Sequence, residues 1–447
     1  MQGRAQDTMV KFACRPPAQN ARSITTSARQ ILGYDGNKLL SAFGVSVGRD
    51  LLTVRGRELS PPAIEYLGSN MGKMVTPKAG SWDTRGQKVF TPCRPIKCWT
   101  FLHIRGKNNN QKIVRERVFR LGRFIANNMG INIRPNPDPA PAVPSEAEQD
   151  VKPAFQELSR RSPRPELIIV VIEERNPVLY KMVKKFADIY AGIATVCVTE
   201  AVLTREGGWE ANFANIGLKV NMKFGGVNHR LHENIDLLSS GKTMLVGYDV
   251  THPTGPTQNA PSLVGMVASV DRHAAQYPAT AWNNPSRVES LDGELVARFQ
   301  SRLNLWQENN QQGLPENIII FRDGVSESQF KMVLERELPH IRSACQATYG
   351  LSKKALPRIS VIVAVKRHNT RFYPTDHNHM DPRSKSPKEG TVVDRGVTTV
   401  RYWDFFLQAH ASIQGTPFLS ARITLQPNSL ANFVGRNRPL GALHGAL

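Results

Sequence analysis

The architecture of this chain follows from two short stretches, MLVGYDVTHP (Met244 to Pro253) and ENIIIFRDGVSESQF (Glu316 to Phe330). Each begins with an apolar run typical of a buried strand, and the two strands end at Asp249 and Asp323. A carboxylate at the end of a buried strand is costly to desolvate unless a positive charge pairs with it. Two such carboxylates in one sheet can share divalent metal ions, as two-metal cleavage of a phosphodiester bond requires. Taken singly, either aspartate is more simply explained as the cap of the turn that follows.

The composition predicts a globular protein with a polyanionic partner. The 447 residues are 40% hydrophobic and 21% charged, enough for two or three domains. A formal net charge of +21 favours nucleic acid ahead of an acidic membrane surface. The five cysteines have no zinc-site spacing and fit a reducing compartment, so we expect a cytoplasmic location and leave a nuclear one open. No apolar run reaches transmembrane length, and we expect no membrane partner.

Changes of pattern along the chain divide it into four parts. Residues 1–95 are short strand-like pieces broken by Gly and Pro, typical of a linker. Residues 96–240 alternate strand and helix patterns, which predicts a parallel sheet in a small Rossmann-like domain. Residues 241–416 predict a second α/β domain, with one long helix from Arg287 to Asn310. Residues 417–447 contain no Asp, Glu or Lys and are interpreted as a divergent tail.

The first α/β domain carries a candidate phosphate site. Tyr180 and Lys184 are four residues apart on one predicted helix, and Lys219 and Lys223 repeat that spacing on the next. Thr195 is expected near the end of the strand between these helices. Three lysines, a hydroxyl and an aromatic ring suit a phosphate beside a stacked base. The alternative is that the lysines are solvated surface charges.

The second domain offers a third acid and a basic loop. Glu289 is predicted early on the long helix, where it can approach the two aspartates; Asp292 and Glu294 are alternatives from the same turn. By itself Glu289 would be an exposed helix residue. After a predicted strand, the closely spaced Lys366, Arg367 and Arg371 can follow a sugar-phosphate backbone, or they belong to a solvated loop.

Together these residues resemble the Argonaute family, in its C-terminal half with the MID and PIWI domains. The motifs that carry the resemblance are YDVTHP, FRDGVSESQF, VKRHNTRFYPTD, GTVVDRGVT and AHASIQGT. They occur in the family's order, and the resemblance runs from about residue 10 to Thr416. The form of the motifs resembles that of eukaryotic, fungal members. Residues 1–95 then correspond to the linker that precedes the MID domain, and the N and PAZ domains of the family would precede residue 1.

The resemblance implies a function as well as a fold. It implies an RNase H-like PIWI domain that binds a small guide RNA and cleaves a complementary target RNA with Mg²⁺ or Mn²⁺. Asp249 and Asp323 would hold two metal ions, and Glu289 would complete the site. Tyr180 would lie under the first guide base, with Lys184, Lys219 and Lys223 on its 5′-phosphate and Thr195 at the pocket edge. Proteins of a silencing complex would be further partners.

The chain departs from the family at two places. Many relatives carry a glutamine where this chain has Val196. Beyond Thr416 the usual histidine motif is missing, and the one histidine of residues 417–447, His444, lies in no recognisable motif. The PIWI domain is therefore expected to be incomplete at its C-terminal end. This leaves open a protein that binds guide RNA without cleaving, or a truncated isoform.

Overall fold

The computed structural model describes residues 9, 15–67, 73–106, 111–141, 143–254, 260–351, 355–365, 368–398, 403–410 and 420–425. The chain divides into two compact units. One consists of Met1–Pro61, Pro77–Ser81 and Ile235–Leu447, and the other of Pro62–Thr76 and Trp82–Asn234. In the described ranges, no helix is both long and apolar enough to span a lipid bilayer.

The secondary structure alternates short strands with helices, some of which contain π or 3₁₀ turns. The strands are β1 (Arg57–Glu58), β2 (Ile64–Tyr66), β3 (Lys73–Val75), β4 (Trp99–Ile104), β5 (Leu167–Ile172), β6 (Ala194–Thr199), β7 (Arg230–Leu231), β8 (Thr243–Thr251), β9 (Ser262–Ala268), β10 (Ala279–Asn284), β11 (Asn317–Asp323), β12 (Arg358–Val365), β13 (Thr391–Val393), β14 (Trp403–Gln408) and β15 (Ser420–Leu425). The α-helices are α1 (Pro17–Ser23), α2 (Arg29–Ile31), α3 (Lys38–Ala42), α4 (Gln111–Met129), α5 (Glu148–Arg160), α6 (Pro177–Lys184), α7 (Glu200–Thr204), α8 (Trp209–Lys223), α9 (Asp236–Ser239), α10 (Glu294–Asn309), α11 (Phe330–Met332) and α12 (Leu338–Leu351). The π turns are Ile24–Ala28, Lys185–Ala191 and Val333–Glu337, and the 3₁₀ turns are Glu327–Gln329 and His377–His379.

The unit around residues 82–234 is built on a parallel sheet, as the alternation of patterns predicted. Its strands lie in the order β4-β5-β6, and all six residues of the central strand β5 are buried. The predicted apolar face of α4 is buried in the core: Val114, Val118, Leu121 and Ile125. This helix approaches β4 closely at Gly122, where an added Cβ would lie 2.6 Å from the Trp99 ring. A second, antiparallel sheet has the order β3-β2-β7.

Helix α5 is an element that the sequence analysis did not single out. It begins at Glu148 and continues to Arg160. Its buried residues are Val151, Ala154, Phe155 and Leu158. Their spacing is that of one helical face, so the signal was present in the sequence. Pro153, which removes a backbone donor, disguised it.

The other unit contains a nine-stranded mixed sheet in the order β1-β13-β14-β15-β12-β11-β8-β9-β10. Strands β8, β11 and β12 are parallel neighbours, and they carry the stretches that end at Asp249 and Asp323. Helices α10 and α12 pack on this part of the sheet through a core that includes Phe299, Trp306 and Tyr349. The fold is thus mixed α/β, and the two acidic strands lie beside one another.

Three sequence expectations change in this unit. The predicted helix from Arg287 begins only at Glu294, and strand β10 precedes it without having been predicted. The expected linker contributes β1, which pairs with β13 at the edge of the sheet. Strand β15, Ser420–Leu425, pairs with β12 and β14, so the sheet extends beyond Thr416 into residues assigned to the tail.

Candidate functional sites

Asp249 and Asp323 occupy adjacent positions on neighbouring strands. Arg322 of β11 pairs in register with Tyr248 of β8, and the next residue on each parallel strand is the aspartate. Neighbouring strands are about 4.8 Å apart, and side chains alternate between faces, so the two aspartates share one face of the sheet. The structure therefore brings together the two carboxylates that the sequence singled out.

Gly324 shapes the space between these acids. It has a φ of +88°, which a residue with a Cβ rarely adopts. A Cβ at this position would lie 2.6 Å from Asp249 Oδ1 and 3.6 Å from Glu289 Oε1. Its backbone N–H donates to Asp323 Oδ1 at 2.9 Å. One small space, kept open by the missing side chain, is thus bordered by Asp249 and Glu289 and lies next to Asp323.

Glu289 reaches this space from a loop and not from a helix. The residue lies between β10 and α10, so the expectation that it sits early on the long helix is wrong. Its side chain is 13% exposed, and its Oε2 atom forms a hydrogen bond of 2.8 Å with His252 Nε2. His252 is itself held by Ser262 Oγ at 2.9 Å. From this loop, the Glu289 carboxylate borders the space at Gly324.

A buried arginine compensates the charge of Glu289. Arg322, which has no exposed side-chain surface, makes two hydrogen bonds of 3.0 Å to Glu337 and one of 3.0 Å to the backbone oxygen of Glu289. The Tyr248 hydroxyl also donates to Glu337 at 3.0 Å. Burial, and then the Glu337 carboxylate, raise the pKa of Tyr248 well above its ordinary value. The tyrosine is therefore a neutral donor that completes the network.

The Oε1 atom of Glu289 keeps an acceptor lone pair available. Arg322 Nη2 lies 2.8 Å from it, but the two N–H groups of Nη2 already donate to Glu337 and to the backbone of Glu289. Among the residues that the structure describes, this buried oxygen has no hydrogen-bond partner. It borders the space at Gly324, where a cation would satisfy it.

The acids are of the chemical type that binds a divalent cation. Carboxylate oxygens are the ligands that Mg²⁺ and Mn²⁺ prefer. In the described ranges, however, no three His, Cys, Asp or Glu side chains are already gathered at the spacing of a bound ion. The structure thus places neighbouring carboxylates around one open space.

A second site lies along strand β6, the last strand of its sheet. Lys184 Nζ donates to Thr195 Oγ1 at 2.7 Å and to Thr195 O at 3.2 Å. The same amine lies 5.8 Å from the centre of the Tyr180 ring, which is about half exposed. The three residues predicted for a phosphate and a stacked base therefore form one cluster.

The position of Thr195 on its strand corrects the sequence analysis. Thr195 is the second residue of β6 and not close to its end. Helix α6 and the π turn after it lead back from the end of β5 to the start of β6, which places Lys184 beside the beginning of that strand. Val196 is 3% exposed and packs in the core, so its side chain faces away from the cluster.

The remaining two lysines converge on the same strand. Burial raises the pKa of the Cys197 thiol on β6, and the nearby charges of Lys184, Lys223 and Lys219 oppose that rise. Partial burial of the Lys223 amine, followed by repulsion from Lys184, lowers the pKa of Lys223. The Asp188 carboxylate acts in the opposite direction on Lys223, but three lysine amines surround this part of β6. The cluster therefore presents a positive surface for an anion.

The predicted basic loop is described only in part. Lys366 and Arg367 lie outside the described residues. Arg371 is half-buried, and its guanidinium donates to the backbone oxygens of His368 at 2.5 Å and of Thr370 at 2.8 Å. These bonds order the turn that follows β12. A role of the loop in contacting a nucleic-acid backbone stays a prediction.

Four residues of the acidic site were not singled out from the sequence: His252, Tyr248, Arg322 and Glu337. Arg322 and Tyr248 lie inside the quoted strands, where a charged residue in an apolar run was the available signal for Arg322. Glu337 is 89 residues from Tyr248 in sequence, and no local pattern connects the two.

Comparison with known families covers almost all of this structure. Residues 167–424, more than half of the chain, match the Piwi domain family. Residues 19–66 match the Argonaute linker 2 domain, and residues 76–161 match the Mid domain of argonaute. The Piwi match begins at β5, whereas the compact unit of the structure that contains β5 ends at Asn234.

Individual relatives agree with the family matches. The tag-76 protein of Caenorhabditis elegans is 32% identical over 429 residues, which cover 93% of this chain and 40% of that protein. The chain thus spans less than half the length of this relative. The MID-PIWI domains of N. crassa QDE-2 are 41% identical, with a TM-score of 0.55 over 62% of this chain and 75% of that one. A Kluyveromyces polysporus Argonaute solved with a guide RNA shares the fold, with 22% identity and a TM-score of 0.68 over 83% of this chain and 44% of that one.

Proposed function

Because this chain belongs to the Argonaute family, with the linker, MID and PIWI regions, we propose that it binds the 5′-phosphorylated end of a small guide RNA and uses the guide to act on complementary RNA. A related Argonaute was solved with a guide RNA, which supports the same class of ligand here. The proposal includes metal-dependent cleavage of the target RNA. Proteins of a silencing complex are proposed as partners, and the cytoplasm as the place of action.

The cluster on β6 carries the guide-binding proposal. Lys184 is held by Thr195 at 2.7 Å next to the exposed ring of Tyr180, and Lys219 and Lys223 add two further cations. A phosphate dianion would relieve the repulsion that lowers the pKa of Lys223. Charge-assisted hydrogen bonds from several ammonium groups are stronger than neutral ones, and a base stacked on an aromatic ring contributes about 1–3 kcal/mol.

The open space at Gly324 carries the cleavage proposal. Asp249, Asp323 and Glu289 would hold one or two Mg²⁺ or Mn²⁺ ions there, and Glu289 would use the Oε1 atom that lacks a hydrogen-bond partner among the described residues. A bound divalent ion supplies an activated water and stabilises charge on the phosphate. The chain's own contribution is positioning: Arg322 and His252 hold Glu289 from two sides.

A guide-binding protein that does not cleave is the alternative function. The observation that favours it lies in the sequence beyond Thr416, where residues 417–447 lack the histidine motif that the family usually carries. The two functions share the β6 cluster and differ at the acidic site. A cleavage assay with a loaded guide therefore separates them.

Guide binding is tested with two RNAs of one sequence, one with a 5′-phosphate and one with a 5′-hydroxyl, on the full chain. We expect at least about a tenfold preference for the phosphate, the effect of one lost charge-assisted contact or more. Lys184→Ala should remove most of this preference. Lys181→Ala is the matched control, since Lys181 is exposed on the same helix and outside the cluster. Equal affinity for the two RNAs in fluorescence anisotropy would refute the proposal.

A further inference from the structure

A cavity of about 220 Å³ lies against β4, at the opposite end of its sheet from the guide-binding cluster. It is open on one side and bordered by β4, the first turns of α4 and the proline-rich segment 137–141. The side chains that give it chemical character are Phe101, His103, Arg105, Gln111, Arg115 and Phe119. None of these residues belongs to the guide-binding cluster on β6 or to the acidic site at Gly324.

The wall of the cavity combines positive charge with aromatic surface. Arg105 Nη2 donates to Gln111 Oε1 at 2.8 Å, which fixes that guanidinium at the start of α4. The Arg115 guanidinium lies 5.7 Å from the centre of the Phe119 ring. Asp138 also lines the cavity, but it already pairs with Arg134 and accepts from the Cys98 thiol. The two arginines therefore leave the cavity with an excess of positive charge.

The wall also contains a buried histidine with a ring nitrogen that lacks a hydrogen-bond partner among the described residues. His103 Nε2 lies 2.8 Å from Glu200 Oε1, and both side chains are less than 10% exposed. Its other ring nitrogen, Nδ1, has no hydrogen-bond partner among the residues that the structure describes. A buried polar atom without a partner is rare in a folded protein and often marks a ligand or an ordered water.

We propose that this cavity binds a flat aromatic or heterocyclic ring that carries a phosphate group. The volume exceeds the roughly 150 Å³ of a cavity that holds a single ring, which leaves room for a phosphate group beside the ring. Phe101, Phe119 and the prolines contact the ring, and Arg105 and Arg115 bind the phosphate. A free mononucleotide and the terminal nucleotide of an RNA share this chemistry.

The binding test separates this cavity from the guide-binding cluster. In the full chain with Lys184→Ala and Lys223→Ala, phenyl phosphate is titrated by calorimetry beside inorganic phosphate and benzyl alcohol. We expect phenyl phosphate to bind at least about tenfold more tightly than either fragment, because it alone satisfies both parts of the wall. Absence of saturable phenyl phosphate binding overturns the proposal.

Variants of the two arginines locate the binding. Arg105→Gln and Arg115→Gln should each weaken phenyl phosphate binding about tenfold or more. Arg123→Gln, on the same helix but outside the cavity, is the matched control and should leave it unchanged. Equal loss in all three variants contradicts a site in the cavity. Because Arg115 is exposed, the Arg115→Gln variant is expected to fold. As a single substitution in the wild-type chain, it should keep the preference for 5′-phosphorylated guide.

The source of the phosphate is identified in the same background. Uridine monophosphate is compared with a short RNA that begins with the same 5′-phosphorylated nucleotide. Tighter binding of the free nucleotide assigns the cavity to a small metabolite, and tighter binding of the RNA assigns it to a strand end. In either case, Arg115→Gln should abolish binding of both the nucleotide and the RNA. Unchanged binding of both ligands in this variant overturns the proposal.

Discussion

Arg322 Nη2 lies 2.8 Å from Oε1 of Glu289 without donating a hydrogen bond to it. The guanidinium compensates the charge of this carboxylate, but its N–H groups donate to Glu337 and to the backbone oxygens of Glu289 and Asp323. Glu289 is thus held in place while one of its oxygens stays able to accept a cation. The same arginine connects the acidic site to the buried core of its unit, which makes the site dependent on the stability of that core.

Removing Arg322 should destabilise the protein strongly. Arg322→Leu leaves Glu337, which has no exposed side-chain surface, without its partner, and breaking a buried pair costs about 3–5 kcal/mol. The free energy of unfolding in urea measures this loss. Arg322→Leu combined with Glu337→Leu should recover most of it. Arg298→Leu is the control, because its pair with Glu294 is exposed and worth about 1 kcal/mol or less. Similar losses for Arg322→Leu and Arg298→Leu would contradict the role of the buried network.

Asp249→Asn should abolish guided cleavage and spare guide binding. If Asp249 holds a metal ion as proposed, its loss removes several kcal/mol of stabilisation, which corresponds to a fall in cleavage rate of about 100-fold or more. The assay uses a loaded 5′-phosphorylated guide and a matched target with Mg²⁺ or Mn²⁺, and a chelator should stop the reaction. Asp292→Asn is the control, since Asp292 is exposed and caps the start of α10. Undiminished cleavage by Asp249→Asn would reject the assignment.

Gly324→Ala should impair both stability and the acidic site. The residue has a φ of +88°, where a side chain costs about 1–3 kcal/mol, and its Cβ would lie 2.6 Å from Asp249 Oδ1. We expect a lower unfolding midpoint and a higher Mn²⁺ concentration for half-maximal cleavage. Gly293→Ala meets no atom within 4 Å and has a negative φ of −56°, so it serves as the neutral comparison. An unfolding midpoint equal to that of Gly293→Ala would show that the space at Gly324 is not constrained.

The amine of Lys223 should become neutral at a lower pH than that of an ordinary lysine. Its pKa is lowered from 10.5 by partial burial and by Lys184, so its amine loses the proton at a lower pH. Affinity for 5′-phosphorylated RNA should therefore fall as pH rises through that lowered pKa, while Lys223 becomes neutral and nucleophilic. Acylation at pH 9, followed by mass spectrometry, should modify Lys223 faster than Lys219. Bound 5′-phosphorylated guide should protect it, and equal rates at the two lysines would argue against the shared cluster.

Local patterns in the sequence were sufficient for much of the fold and for naming candidate site residues that the structure brings together. Strands β8 and β11, the buried face of α4 and the parallel sheet around β5 followed from apolar periodicity, because that signal needs only neighbouring residues. The Tyr180–Lys184 pair followed in the same way from helical spacing, and the structure brings it to Thr195.

Helix starts and irregular segments were less predictable. Glu289 was expected on a helix because its apolar neighbours continue the period of α10, yet the helix begins five residues later at Glu294. Helix α5 was not singled out, because Pro153 and polar residues interrupt its apolar face. Boundaries depend on capping and on packing against distant elements, which a local window does not contain.

The amino-acid sequence by itself predicted two acids at strand ends and lysines at helical spacing, and it established that the chain is strongly basic. Tertiary structure added the in-register placement of Asp249 beside Asp323 and the contacts of Glu289 with Arg322 and His252. It also added the cavity beside His103. The physical reason is distance along the chain: charge compensation inside a core acts between residues tens of positions apart, and only the packed fold determines which buried charges meet.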